Sequence, residues 1–353
     1  MSIVNFLAAL LLMYIVWAMM VKRGVRNLTC QRSFSCRTAY EGDEAELVEV
    51  VRNDGPFILP WLRLESYIAP GLRLGRQGSA KDASYYCSCF TLMPFQQIRR
   101  RHRVKFLRRG VYDLGNATFA AGDLMGLTRF WKEQQLSSPV TVYPQILDAE
   151  ELPYPMTQML GEVVTRHRLQ QDPFMVRGIR PYQPGDLIRD IHWQATARTQ
   201  EVQVRLHDNT INPRLLVVLN AQRNDGQWDN YVRDEDVPAL EQGIRLAASM
   251  CVRGLRAGLQ VGFAANMPQE RGGVSTVLLP DTCDEDAMLE AFARLQIHCS
   301  EKILQLLESL QDCRDMDILV LSRYHSESLQ QEMDKLKHSG NRVTFCLTEG
   351  GEP

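Results

Sequence analysis

The residues best equipped for chemistry lie in one stretch, Asp172 to Arg198, which reads DPFMVRGIRPYQPGDLIRDIHWQATAR. Arg177, Arg180, Arg189 and Arg198 are interleaved there with Asp172, Asp186 and Asp190. A guanidinium pairs with a carboxylate through two parallel hydrogen bonds, so the spacing predicts a salt-bridged knot covered by Tyr182 and Trp193. Asp186, Asp190 and His192 form a conceivable acid–base set. On a helix, however, 186 and 190 share a face while 192 points elsewhere, and no activated nucleophile stands near. Ion-pair networks imitate active sites, and the balance favours a structural or partner-binding role.

A second cluster is basic: Arg99, Arg100, Arg101, His102, Arg103 and Lys105, then Arg108 and Arg109. On a strand, Arg101, Arg103 and Lys105 share one face with Arg99, and His102, Val104 and Phe106 share the other. A solvated outer face is the plain reading. Contact with anionic lipid headgroups is the sharper one. Nucleic acid is a third and is not expected, because no motif or stacking aromatics accompany the charge. The net charge of −2 supplies no global pull toward polyanions. The sequence has no G-x-x-x-x-G-K-[ST] or G-x-G-x-x-G loop and no G-x-S-x-G elbow, which leaves nucleotide binding and elbow-type hydrolysis unsupported. Nine scattered cysteines form no C-x-x-C pairs, so zinc is poorly supported, and thiols without a framework suit a reducing compartment.

These groups need elements to hold them. Ser2 to Val21 is an uncharged apolar run long enough, at ~1.5 Å per residue, to cross ~30 Å of hydrocarbon. Lys22, Arg23 and Arg26 follow it, which argues against a cleaved leader and predicts a single span with the body on the cytoplasmic side. Residues 28–147 alternate apolar and polar side chains between turn signals, as in ELVEVVR (46–52) and WLRLESY (61–67), which predicts a β-sandwich. Within 166–208, the Pro184-Gly185 turn and an Asp186 N-cap predict a short helix from about Leu187 to Ala197. From 212 to 353 strands alternate with helices, from the buried-strand run RLLVVLN (214–220) to a last strand at Val343–Leu347; this predicts a parallel α/β domain with ligands at the C-terminal strand ends. The expected fold class is therefore multi-domain α+β: an N-terminal transmembrane helix, a β-sandwich and an α/β domain.

The 172–198 string closely resembles the signature of the domain-of-unknown-function family 58, R-G-x-R-x-Y-x-P-G-D followed by R-x-I-x-W and A-R. Here Arg177, Gly178, Arg180, Tyr182, Pro184, Gly185, Asp186, Arg189, Ile191, Trp193, Ala197 and Arg198 meet it. Arg109-Gly110-Val111-Tyr112 and Gly122-Asp123-Leu124-Met125-Gly126-Leu127 resemble further family elements, with Leu124 and Met125 in place of Pro-Phe. The resemblance implies that the α/β domain is of the von Willebrand factor type A kind, whose metal loop reads D-x-S-x-S. Asn220, Gln222 and Asn224 stand at those positions. They bring no charge to offset dehydration of Mg²⁺, so retained metal binding is not expected and no cofactor is assigned. The family also implies a MoxR-type AAA+ ATPase as partner. The function expected is a non-enzymatic adaptor in a bacterial plasma membrane, serving envelope-linked assembly or stress processes. Two alternatives are kept: a metal-dependent hydrolase at Asn220 with Asp186 or His192, and a lipid- or nucleic-acid-binding module using Arg99 to Arg109.

Overall fold

The computed structural model describes residues 2–75, 85–122, 129–169, 171–183, 186–209, 213–227, 231–270, 272–280 and 283–352. The chain divides into two compact units, Met1–Gln145 and Ile146–Pro353.

The first unit begins with helix α1, Ser2–Arg26, which is long and apolar enough to cross a membrane, with a mean hydropathy of 2.3. One face of its second half is not free. Val21 and Val25 are buried, and Trp17 packs on the same cluster. The strands are β1 (Leu28–Phe34), β2 (Thr38–Tyr40), β3 (Glu44–Asn53), β4 (Leu59–Tyr67), β5 (Leu72–Leu74), β6 (Tyr85–Leu92), β7 (Gln97–Phe106), β8 (Gly110–Tyr112), β9 (Asn116–Gly122), β10 (Arg129–Gln135) and β11 (Val140–Tyr143). They form sheets ordered β1-β3-β7-β5, β10-β9-β4-β6 and β2-β11-β8. Period-two side chains explain the packing. Cys30 and Val51 from the first sheet meet Leu62, Leu64, Phe119 and Ala121 from the second in one core.

The second unit contains α2 (Tyr154–Leu169), β12 (Gln171–Pro181), α3 (Trp193–Thr199), β13 (Gln203–Asn209), β14 (Arg214–Leu219), α4 (Val237–Arg256), β15 (Gln260–Ala265), β16 (Thr276–Leu278), α5 (Glu285–Arg294), α6 (Ile303–Ser309), β17 (Met316–Tyr324), α7 (Glu327–His338) and β18 (Arg342–Glu352). β12 and β13 pair antiparallel as a separate ribbon. The five-stranded sheet runs β16-β15-β14-β17-β18, parallel except for edge strand β16. Leu215, Val217 and Leu219 of β14 face α2, α4 and α5, while Leu216 and Val218 face α6 and α7. A strand covered on both sides must be apolar at every position, which is why RLLVVL shows no alternation. Because β14 is flanked by β15 on one side and β17 on the other, the strand order reverses between β14 and β17, the place where open parallel sheets bind their ligands.

Candidate functional site

In the second unit, β12 and β13 align Arg180 with Val204 and Pro181 with Gln203. The chain between them is held at three further points. Tyr182 N–H donates to Val202 O (2.9 Å), His192 N–H donates to Gln203 O (2.7 Å), and Ile191 bridges Val204. Across this loop Arg180 donates two 2.7 Å hydrogen bonds to the two carboxylate oxygens of Asp186, which also accepts from Gln183 N–H at 2.8 Å. Arg180, then the Gln183 amide, holds the Asp186 carboxyl below its ordinary value of 3.8.

The expected helix from Leu187 to Ala197 is corrected. A 3-10 turn at Ile188–Asp190 is followed by α3 from Trp193, and the N-cap is His192, whose Nδ1 accepts from Ala195 N–H at 3.0 Å. Asp186 turns back to Arg180 because a bidentate pair with a guanidinium outweighs a cap bond from one backbone amide, and Ile191 must stay extended to bridge Val204. Of the expected knot, Arg180–Asp186 is the bidentate pair among the described residues. Arg189 only approaches Asp190, at 3.7 Å, and Arg198 is exposed. Nor do the aromatics cover it: Trp193 is 65% exposed and Tyr182 43%, and Leu187 and Ile188 of the same stretch are exposed as well, Ile188 at 76%. Gly178 lies on β12; Arg177 is described by its backbone alone, and Pro184, Gly185 and residues 123–128 lie outside the described residues. His192 caps α3 through Nδ1, and Asp186 is paired with Arg180.

Asp186→Asn is expected to loosen residues 180–191 in hydrogen exchange while the global unfolding midpoint hardly moves, because the pair is solvated. The sign of the pH effect follows from a lowered carboxyl value. The stabilisation of the loop is present above the ordinary value and is lost as pH falls through the depressed one. A loop equally protected in the wild type and the variant at neutral pH would reject the lock.

At the strand ends the amides saturate one another. Asn220 Nδ2 donates to Ser322 Oγ (3.0 Å), and Asn266 Nδ2 donates to Asn220 Oδ1 (3.2 Å). Asn220 Oδ1 accepts from Gln222 N–H (3.0 Å), and Gln222 Oε1 accepts from Ile303 N–H at the start of α6 (2.7 Å). Asn224 is exposed outside this network. No group of three His, Cys, Asp or Glu able to hold a metal occurs among the described residues. Each buried amide oxygen named here already has a partner, so a hard cation would have to break these bonds to enter. The unfolding midpoint is therefore expected to be the same in Mg²⁺ and in chelator. Asn220→Asp is expected to cost about 1–3 kcal/mol, because the carboxylate loses the donor that meets Ser322. A midpoint that rises with Mg²⁺ in the wild type would contradict this.

In the first unit, β7 turns Arg99, Arg101, Arg103 and Lys105 to solvent and Ile98, Arg100, His102, Val104 and Phe106 inward. The inward arginine escaped the sequence reading. Glu49, fully buried on β3, receives Arg32 Nε and Nη2 on one oxygen (2.8 and 2.6 Å), while Arg100 donates to the other from Nε at 3.0 Å and also from Nη2. Arg100 Nη1 reaches Ser88 Oγ at 2.7 Å, and its guanidinium lies 4.5 Å from the Phe90 ring centre. A signal was available: Glu49 falls in phase with Leu47 and Val51, on the face that must be buried.

His102 sits beside this triad, 3.2 Å from Tyr86 Oη. Burial, helped by Arg100 and Arg32 against Glu49, pushes its imidazole below the ordinary 6.5. A base whose folded value is lowered costs stability only once the unfolded chain protonates. The first unit is thus expected to keep full stability above about pH 6.5 and to weaken as pH falls below it. His102→Phe should flatten that slope in urea titrations at several pH values. An unchanged slope would mean the imidazole is not the source.

A family model described as Protein of unknown function DUF58 matches residues 178–265. The DUF58 match takes in the Arg180–Asp186 loop, β13, β14, α4 and β15, and it supports the resemblance seen in the signature. No curated protein matches the chain. Among solved structures, the CARDB domain of the PF1109 protein from Pyrococcus furiosus, in complex with di-metal ions, is 11% identical, with 33% of this chain and 96% of that one covered and a TM-score of 0.23. A non-cellulosomal cohesin from Archaeoglobus fulgidus is 10% identical over 35% of this chain and 94% of its own, with a TM-score of 0.22. BslA, a bacterial hydrophobin, is 8% identical over 34% and 95%, also with a TM-score of 0.22.

Proposed function

We propose that this protein is a non-enzymatic, membrane-tethered adaptor whose signature loop docks a MoxR-type AAA+ ATPase. The observation that carries the reading is the Arg180–Asp186 lock within a stretch that exposes four large apolar side chains, Tyr182, Leu187, Ile188 and Trp193. Large apolar side chains on a rigid support are what a protein interface uses as anchors, with tryptophan and tyrosine foremost. Solvent alone gives no reason to fix them. The exposed Arg189 and Arg198 beside them suit a partner surface that combines an apolar pocket with acidic groups.

On this reading the second unit is a von Willebrand factor type A-like scaffold. Its strand order and its amide-filled strand ends support a domain used for recognition in place of metal chemistry. Helix α1 tethers it to a bacterial plasma membrane. Lys22, Arg23 and Arg26 after the apolar run favour a cytoplasmic body, where an ATPase would be met.

The test is affinity capture of the tagged full-length protein from native membranes, with Trp193→Ala and Asp186→Ala beside the wild type. An AAA+ ATPase that the wild type enriches and both variants lose, at matched expression and folding, is the expected result. Equal recovery of that ATPase with Trp193→Ala would remove the loop from the interface. Failure of the wild type to enrich any AAA+ ATPase would remove the partner.

A further inference from the structure

One end of the first unit gathers the last turns of α1, the Asn53–Leu59 loop and the turn between β6 and β7. Strand register places them together: Leu28 pairs with Asn53, Arg52 with Gln97, and Leu59 with Leu92. Asn27 is the single residue between α1 and β1, and its carbonyl accepts from Asp54 N–H at 3.0 Å. The helix is seated hard. A Cβ added at Gly24 would lie 2.9 Å from the Leu59 side chain, and Lys132 Nζ donates to the Arg26 and Leu28 carbonyls.

The seated face overlaps the apolar run. Trp17 and Val21 pack on the sandwich core, yet both belong to the Ser2–Val21 stretch. Four residues of helix rise about 6 Å. If all twenty apolar residues are needed to cross ~30 Å, the protein surface around Trp17 and Val21 lies at headgroup depth and not above it.

The turn at this end has the side chains for that position. Met93 is 50% exposed and Phe95 71% exposed. They are held out by design of the backbone. Buried Asn53 donates to the Met93 carbonyl (3.0 Å) and to the Phe57 carbonyl (2.8 Å) and accepts from Gly55 N–H (3.0 Å). Phe95 N–H donates to Gly55 O at 3.3 Å, and Phe95 adopts φ 55°, a left-handed conformation that bulky residues seldom occupy. Such a conformation is costly and persists where the surroundings or a function hold it.

We infer that this end of the sandwich is seated in the lipid–water interface, with Met93 and Phe95 inserted among the headgroups beside α1. The inference rests on the membrane-anchor part of the proposed function. It also limits the basic strand. β7 leaves this end at Gln97, so Lys105, eight residues on, stands roughly 26 Å away at ~3.3 Å per residue. That is several screening lengths, about 8 Å each at physiological salt, so only the Arg99 end can feel the headgroups.

The test places a photoreactive benzoylphenylalanine singly at Phe95, Leu11 or Lys105 of the full-length protein in its native membrane, with Met93 repeating the first in a separate chain. After irradiation, adducts are identified by mass spectrometry. Lipid adducts at Leu11, Phe95 and Met93, with none at Lys105, are expected. Lipid adducts at Leu11 but only protein adducts or none at Phe95 and Met93 would overturn the seating and leave the anchor standing. No lipid adduct at Leu11 would overturn both. Lipid adducts at Lys105 as strong as at Phe95 would replace the end-on seating by a flat one.

Discussion

Glu49→Ala is expected to cost the first unit about 3–5 kcal/mol, the range for breaking a buried ion pair from one side. The reason is what remains. Arg32, almost wholly buried, and Arg100, three-quarters buried, would keep their charges between two sheets with no carboxylate to meet them. Among the described residues Arg32 would retain the Tyr86 ring, 5.9 Å from its guanidinium carbon, and Arg100 would retain Ser88 and Phe90. Burying a charge is tolerable only when it is paired and hydrogen-bonded. Replacing all three together, as Arg32→Met, Glu49→Leu and Arg100→Met, is expected to be near neutral or stabilising, since the desolvation penalty of three ions disappears with their attraction. Urea unfolding followed by hydrogen exchange at β3 peptides measures both. A Glu49→Ala loss under about 1 kcal/mol, the worth of an exposed pair, would show that water reaches the triad.

Asp236→Ala is expected to have a comparable effect on the second unit, again about 3–5 kcal/mol. Asp236 precedes α4 and accepts a 2.7 Å bond from Arg323 Nη2 at the end of β17, and each side chain is more than nine-tenths buried. Arg323 Nε has no partner among the described atoms, so its remaining satisfaction depends on this carboxylate. Arg223, half-exposed and 3.8 Å from Asp236, cannot replace it because it is a cation as well. The loss should appear at α4 and at the end of β17, and Arg323→Met in the same chain should recover much of it. If the double variant is as unstable as Asp236→Ala alone, the cost lies in the helix start and not in an orphaned guanidinium.

The triad and the pair show what a linear reading sees and misses. Alternation in ELVEVVR and uniform apolarity in RLLVVL announced a half-buried strand and a fully buried one, because side-chain period reports burial directly. At α5 and α7 the caps are local, Asp284 accepting from Ala287 N–H and Ser326 from Leu329 N–H. Helix α2 is faint in the sequence. Its apolar positions Met156, Met159 and Val163 do follow helical spacing, but Gly161 and a scatter of polar residues dilute the stripe. The signature loop was misread for a different reason. Asp186 has two acceptable uses, as a cap or as a carboxylate for Arg180, and only the β12–β13 pairing brings Arg180 within reach. Asp236 and Arg323, 87 residues apart, leave no local trace at all.

The junction at Asn27 gives the first unit an angular setting. A helix turns about 100° per residue, and α1 enters β1 with no slack to absorb that rotation. The compass bearing of the sandwich about the axis of α1 is therefore written in the count of residues between any point on the free segment Ser2–Val16 and the docked stripe at Trp17, Val21 and Val25. One residue inserted after Leu12 would swing every N-terminal side chain by about 100° relative to the sandwich, and seven would return them to within about 20°. Any neighbouring helix that recognises one side of α1 would in the same act choose which side of the sandwich it faces.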